Sequence, residues 1–111
     1  MSGTELIILK EAITATGSSD PVQLNSDQFS VQASGFTTAG AGAATVVVEV
    51  SNVPSPTVDG DWVAAGTISL TLATTKSADA VAIAVPYKRA RVRVSAISGT
   101  GASVSAYLCQ G

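Results

Sequence analysis

The sequence predicts a single-domain, all-β antiparallel sandwich of about eight strands, jelly-roll-like or of another Greek-key topology. Three observations lead there. From Trp62 to Leu108 apolar and polar residues alternate with a period of two, which puts one side-chain set on a buried face and the other outward. Gly, Pro, Asp and Ser clusters punctuate the chain roughly every ten residues, the spacing of short strands joined by turns. No stretch shows the helical period of 3.6. At 111 residues the chain holds one core, no linker divides it, and residues 1–111 form one domain.

The elements follow in order. Leu6-Ile7-Ile8-Leu9 is a continuous apolar run inside an extended segment, read as a first strand or as an N-terminal arm over residues 1–12, ahead of the Gly17-Ser18-Ser19-Asp20-Pro21 turn. Pro21 to Leu24 gives a short strand. Phe29, Val31 and Ala33 alternate with Ser30, Gln32 and Ser34 in a half-buried strand that ends at Gly35. The low-complexity run at 37–44 reads as a flexible loop. Three consecutive valines, Val46 to Val48, favour extended backbone in a central strand that Pro54 and Pro56 close.

Asp59-Gly60-Asp61 supplies the next turn. Ile68, Leu70 and Leu72 then face inward after a bulge or bend at Gly66. Ala80 to Val85 is apolar on both sides, which predicts a strand covered twice. Ala90, Val92 and Val94 alternate with Arg89, Arg91 and Arg93. Ser98-Gly99-Thr100-Gly101 turns the chain into a last strand with Val104, Ala106 and Leu108 inward.

Composition limits function. Charged residues make up 13% of the chain, against about 25% for an ordinary soluble domain. Such a surface is suited to being covered by neighbours. A net charge of −2 gives no basis for nucleic-acid binding. The four-residue apolar run near the start is too short to span a membrane or to form the core of a signal peptide. Cys109 is the single cysteine, so packing rather than a disulfide holds the fold, as suits synthesis in a reducing cytoplasm.

Catalysis finds little to work with. The chain contains no histidine, which removes Ser-His-Asp and Cys-His arrangements. Its carboxylates are scattered over turns and polar strand faces, and Asp59-Gly60-Asp61 reads as a turn rather than a calcium loop. No catalytic set, metal or cofactor is expected, and the protein is read as no enzyme. Trp62 reads as a core or edge plug rather than a sugar platform. The best site candidate is the row Arg89, Arg91, Arg93, whose spacing places three guanidinium groups on one face of one strand. Such a row needs acidic answers, either within the chain, with Glu49 and Asp79 as candidates, or across an interface.

The segments Val46-Val47-Val48-Glu49-Val50-Ser51, Trp62 to Ile68, Pro86-Tyr87-Lys88-Arg89-Ala90-Arg91-Val92-Arg93-Val94 and Ser98-Gly99-Thr100-Gly101-Ala102-Ser103-Val104 together resemble small structural proteins of tailed-bacteriophage virions. The resemblance covers roughly residues 29–109 and implies a β-sandwich made in the host cytoplasm and incorporated into the virion. It further implies a head decoration (cement) protein that binds the major capsid protein between capsomers as a homo-oligomer, with a trimer favoured. A tail- or fibre-associated adaptor or host-glycan-binding module is the alternative. On this reading Leu6, Ile7, Ile8 and Leu9 contact a neighbour, and Arg89, Arg91 and Arg93 line a subunit or capsid interface.

Overall fold

The computed structural model describes residues 5–110. Among the described residues there are nine strands: β1 (Glu5–Ile13), β2 (Gly17–Ser18), β3 (Val22–Gln23), β4 (Phe29–Phe36), β5 (Ala39–Ser51), β6 (Val63–Leu72), β7 (Ser77–Ile83), β8 (Arg89–Thr100) and β9 (Ser103–Gln110). They form two antiparallel sheets. Sheet A has the order β1-β9-β4-β7, and sheet B the order β2-β8-β5-β6 with β3 also on β8.

β2 and β3 are two halves of one interrupted edge strand. Both pair with β8, and Ser19 bridges the gap: its N–H donates to the Val92 carbonyl (2.8 Å) while its hydroxyl accepts the Val92 N–H (2.9 Å). Counted as one, they leave eight strands in which the first pairs with the last, β2/β3 with β8, β4 with β7 and β5 with β6. This is a long antiparallel hairpin rolled onto itself, the topology of a jelly roll.

Alternation builds the core. Val31, Ala33, Val104, Ala106 and Leu108 from sheet A meet Val46, Val48, Val50, Ile68, Leu72, Ala90, Val92 and Val94 from sheet B, all buried. Their β-branched side chains suit the pleated surface and leave their polar neighbours outside. Gly66 faces across the sandwich, where an added Cβ would lie 2.9 Å from Val81 Cγ2, and the β5–β6 register slips beside it, between Val48 and Glu49. The bend expected at Gly66 is therefore a bulge set by close packing.

Three expectations are revised. Of the two readings of the N-terminal segment, residues 5–12 take the first strand and not a free arm: β1 pairs along β9 from Glu5↔Gln110 to Ile13↔Val104, and Ile7, Leu9 and Ile13 pack on the core, while residues 1–4 lie outside the described region. Half of the apolar run is thus consumed by the chain's own sandwich. Residues 39–44 are not a loop but the start of β5, because Gly42 runs so close to β8 that a Cβ there would overlap the Ser98 carbonyl oxygen. Nor is the alanine-rich strand covered twice. β7 is an edge of sheet A with Ala80 and Ala82 exposed, small enough to stand in water at low cost.

At the β8–β9 corner Gly101 has φ +63°, and a Cβ there would strike the Thr38 side chain. Gly101→Ala is therefore expected to cost at least about 1–2 kcal/mol, the left-handed penalty alone. Thermal unfolding checks this, and an unchanged midpoint would contradict the corner geometry.

Candidate functional site

Two surfaces gather the residues singled out by the sequence, one on the outer face of each sheet. On sheet B the β5–β8 register sets Ser51 opposite Arg89, Glu49 opposite Arg91 and Val47 opposite Arg93. Glu49 lies outward because Val46, Val48 and Val50 take the core side, so a carboxylate comes to lie directly beside the arginine row. Arg91 Nε donates to Glu49 Oε1 at 2.8 Å, with both side chains 10% exposed. Its Nη2 donates to Asp59 Oδ1 at 2.9 Å, and its guanidinium carbon lies 4.6 Å from the centroid of the Trp62 ring.

Arg93 is looser. Its Nε is 3.5 Å from Glu49 Oε2, and its side chain is 45% exposed. Among the described residues Arg89 meets no carboxylate and its buried Nε no acceptor; Nη2 donates to the Pro54 carbonyl at 2.7 Å.

These contacts fasten the 52–62 segment over the outer face of sheet B. Asp59 to Asp61 form a short 3-10 helix. Asp61 Oδ2 accepts the backbone N–H groups of Thr57 (2.9 Å) and Val58 (3.3 Å), and the Ser51 hydroxyl donates to the Asp61 carbonyl (2.7 Å). Trp62 is buried beneath, so it is a plug held by Arg91 and offers no exposed ring to a sugar. Of the two partners the sequence suggested for the row, Glu49 serves Arg91 and Arg93. Asp79, on β7 in the other sheet, makes no ion pair among the described residues.

The second surface is the outer face of sheet A. Registers across four strands align Leu6, Cys109, Ser30 and Ala82 in one row, and Ile8, Tyr107, Gln32 and Ala80 in the next. Neither row carries a charge. Leu6 is 69% and Ile8 57% exposed, the most exposed of the large apolar side chains on this face, while Ile7 and Leu9 turn inward. Among the described residues β1 is also the sheet edge, with no strand beside its outer N–H and C=O groups. The edge is regular over residues 5–8 and irregular beyond, with register shifts on both sides of Lys10 and Ala12 at φ +51°. Such bulging blunts the far half of the edge against pairing and leaves the near half open.

No family model, curated protein or solved structure matches this chain. Its chemistry must therefore be read from its own two faces. One is a charged face whose most buried cation is answered within the chain. The other carries two uncharged rows, with two large aliphatic side chains in water.

Proposed function

We propose that this protein is a structural component of a tailed-bacteriophage virion, acting by binding alone as a head decoration protein. In this reading it self-associates through the outer face of sheet A and contacts the major capsid protein between capsomers. The observation that carries it is the pair of uncharged rows ending at Leu6 and Ile8 on an open strand edge. Covering such a face removes apolar area from water without stripping solvent from any charge, which is what a lasting interface requires. A closed trimer would bury the edge of each subunit without leaving one free to recruit further copies. Arg93, whose side chain is 45% exposed and only loosely paired with Glu49, remains available to acidic groups on a capsid surface.

Sedimentation over a concentration series tests the association. The wild-type chain is expected to form a closed oligomer. The Leu6→Ser, Ile8→Ser double variant should weaken it by about a hundredfold, on about 3 kcal/mol of lost apolar burial per subunit. Expanded heads should then bind the wild-type protein in many copies and the variant in few. A strictly monomeric wild type, or a variant that assembles unchanged, overturns the reading.

The alternative, a tail- or fibre-associated adaptor or host-glycan-binding module, draws support from one feature, a polar cleft at the end of sheet B. It predicts few copies per virion and recognition of a sugar.

A further inference from the structure

We infer that the cleft between the Lys88-Arg89 step and the Gln23–Asp27 segment binds an acidic saccharide, a sugar bearing a carboxylate. The site does not depend on the decoration role and stands or falls separately. It lies where β3 ends and β8 begins and has two adjoining lobes. The larger, of about 400 Å³, is lined by Gln23, Asn25, Asp27, Asn52, Tyr87 and Lys88, among others. The smaller, of about 230 Å³, shares Gln23, Asn52 and Lys88 and adds Arg89 and Pro54.

The walls are held in place by the backbone. Leu24 N–H donates to the Lys88 carbonyl at 2.8 Å, and Lys88 N–H donates to Asn52 Oδ1 at 2.9 Å. The second bond engages the acceptor end of the Asn52 amide and leaves its Nδ2 group as a donor. Three segments distant in sequence are thus tied around one opening, so the donor groups are ordered before any ligand arrives.

Arg89 decides the ligand's charge. Its guanidinium has five N–H donors and makes one hydrogen bond, to the Pro54 carbonyl, while the buried Nε is unmatched. The Nε is closed to solvent, so a ligand in the cleft meets the guanidinium N–H donors that the Pro54 bond leaves over, and an arginine fork is shaped for a carboxylate. Neither Arg89 nor Lys88 has a carboxylate within ion-pair distance among the described residues, whereas Arg91 two residues on has two. The conspicuous missing partner is an anion.

The rest of the lining decides the ligand's class. Amides at Gln23, Asn25 and Asn52 both donate and accept, Asp27 accepts, and the half-buried Tyr87 adds an aromatic surface. Sugar hydroxyls need donors and acceptors together, and their C–H faces pack on aromatic rings. A bare phosphate would use the cations and leave the amides idle. Asp27 in the larger lobe would repel a polyanion such as a nucleic acid or a run of acidic side chains.

The test is an NMR titration of the ¹⁵N-labelled protein with methyl glycosides of glucuronic, galacturonic and N-acetylneuraminic acids, alongside neutral glucoside and galactoside. At least one acidic glycoside should move the backbone signals of Lys88 and Arg89 and the side-chain amides of Asn52 and Gln23. Its neutral counterpart should bind at least about tenfold more weakly. Arg89→Gln should abolish the selectivity, although it also removes the Pro54 contact. Lys88→Gln alters an exposed side chain and should weaken the acidic glycoside severalfold with the fold intact. No response to any acidic glycoside at tens of millimolar overturns the proposal. So does acetate binding equally well, which would mark a mere ion site, or a short polyglutamate peptide binding more tightly, which would mark a protein partner.

Discussion

Replacing Arg91 with alanine is expected to destabilise the protein by about 3–5 kcal/mol, the cost of leaving one member of a buried ion pair alone. Glu49 is 10% exposed and would keep only Arg93, at 3.5 Å, as its partner. The same substitution uncovers Trp62 and releases the anchor at Asp59. Asp59 is 87% exposed, so its bond contributes little and the cost sits mainly in Glu49. Trp62 is the chain's single tryptophan, so denaturant unfolding followed by its fluorescence reads the change directly. Arg93→Ala, at the exposed end of the row, should stay within about 0.5 kcal/mol.

A double-mutant cycle sharpens the expectation. Converting both partners, in Glu49→Gln with Arg91→Met, removes the buried charges together and should recover most of the loss, because two uncharged side chains owe each other nothing. A double variant as unstable as the sum of the single variants would place the stabilisation elsewhere, in the packing of the Arg91 stem on Trp62. Arg91→Ala costing less than about 1 kcal/mol would mean that the pair is solvated in solution.

Much of this arrangement was legible in the sequence, and the remainder has identifiable causes. Alternation marked the inward sets of β4, β6, β8 and β9 correctly because each pairs bulky apolar residues with polar ones. It failed over 39–44, where glycine and alanine give no contrast between faces and the strand is fixed by close approach to β8. It also failed for Leu6 to Leu9, since a run apolar on both sides hides which half turns in, and only the register with β9 reveals it. The arginine row was visible as a row. Its principal partner was foreshadowed by Glu49 standing out of phase with Val46, Val48 and Val50, but strand adjacency is a property of topology. The Gln23, Asn52 and Lys88 cleft left no local signal, because its walls come from three separate segments.

Leu108→Ala is expected to cost about 2–5 kcal/mol, toward the upper part of that range. Leu108 is fully buried on a strand flanked on both sides, with Ile7 beside it on β1 and Val31 on β4, and sheet B closes over it from above. Paired strands on both sides limit how far the backbone can collapse into the space left by truncation. Its chain neighbour Tyr107 points the other way, into the uncharged row with Ile8 and Gln32. Tyr107→Ser should change monomer stability by no more than about 1 kcal/mol and yet weaken self-association. The two adjacent positions therefore separate folding from assembly on a single strand. If Tyr107→Ser lowered the urea midpoint as much as Leu108→Ala and left the sedimenting species unchanged, the outer face of sheet A would be a stabilising surface of the monomer. The case for an interface there would then fail, whatever the merits of the cleft on the opposite sheet.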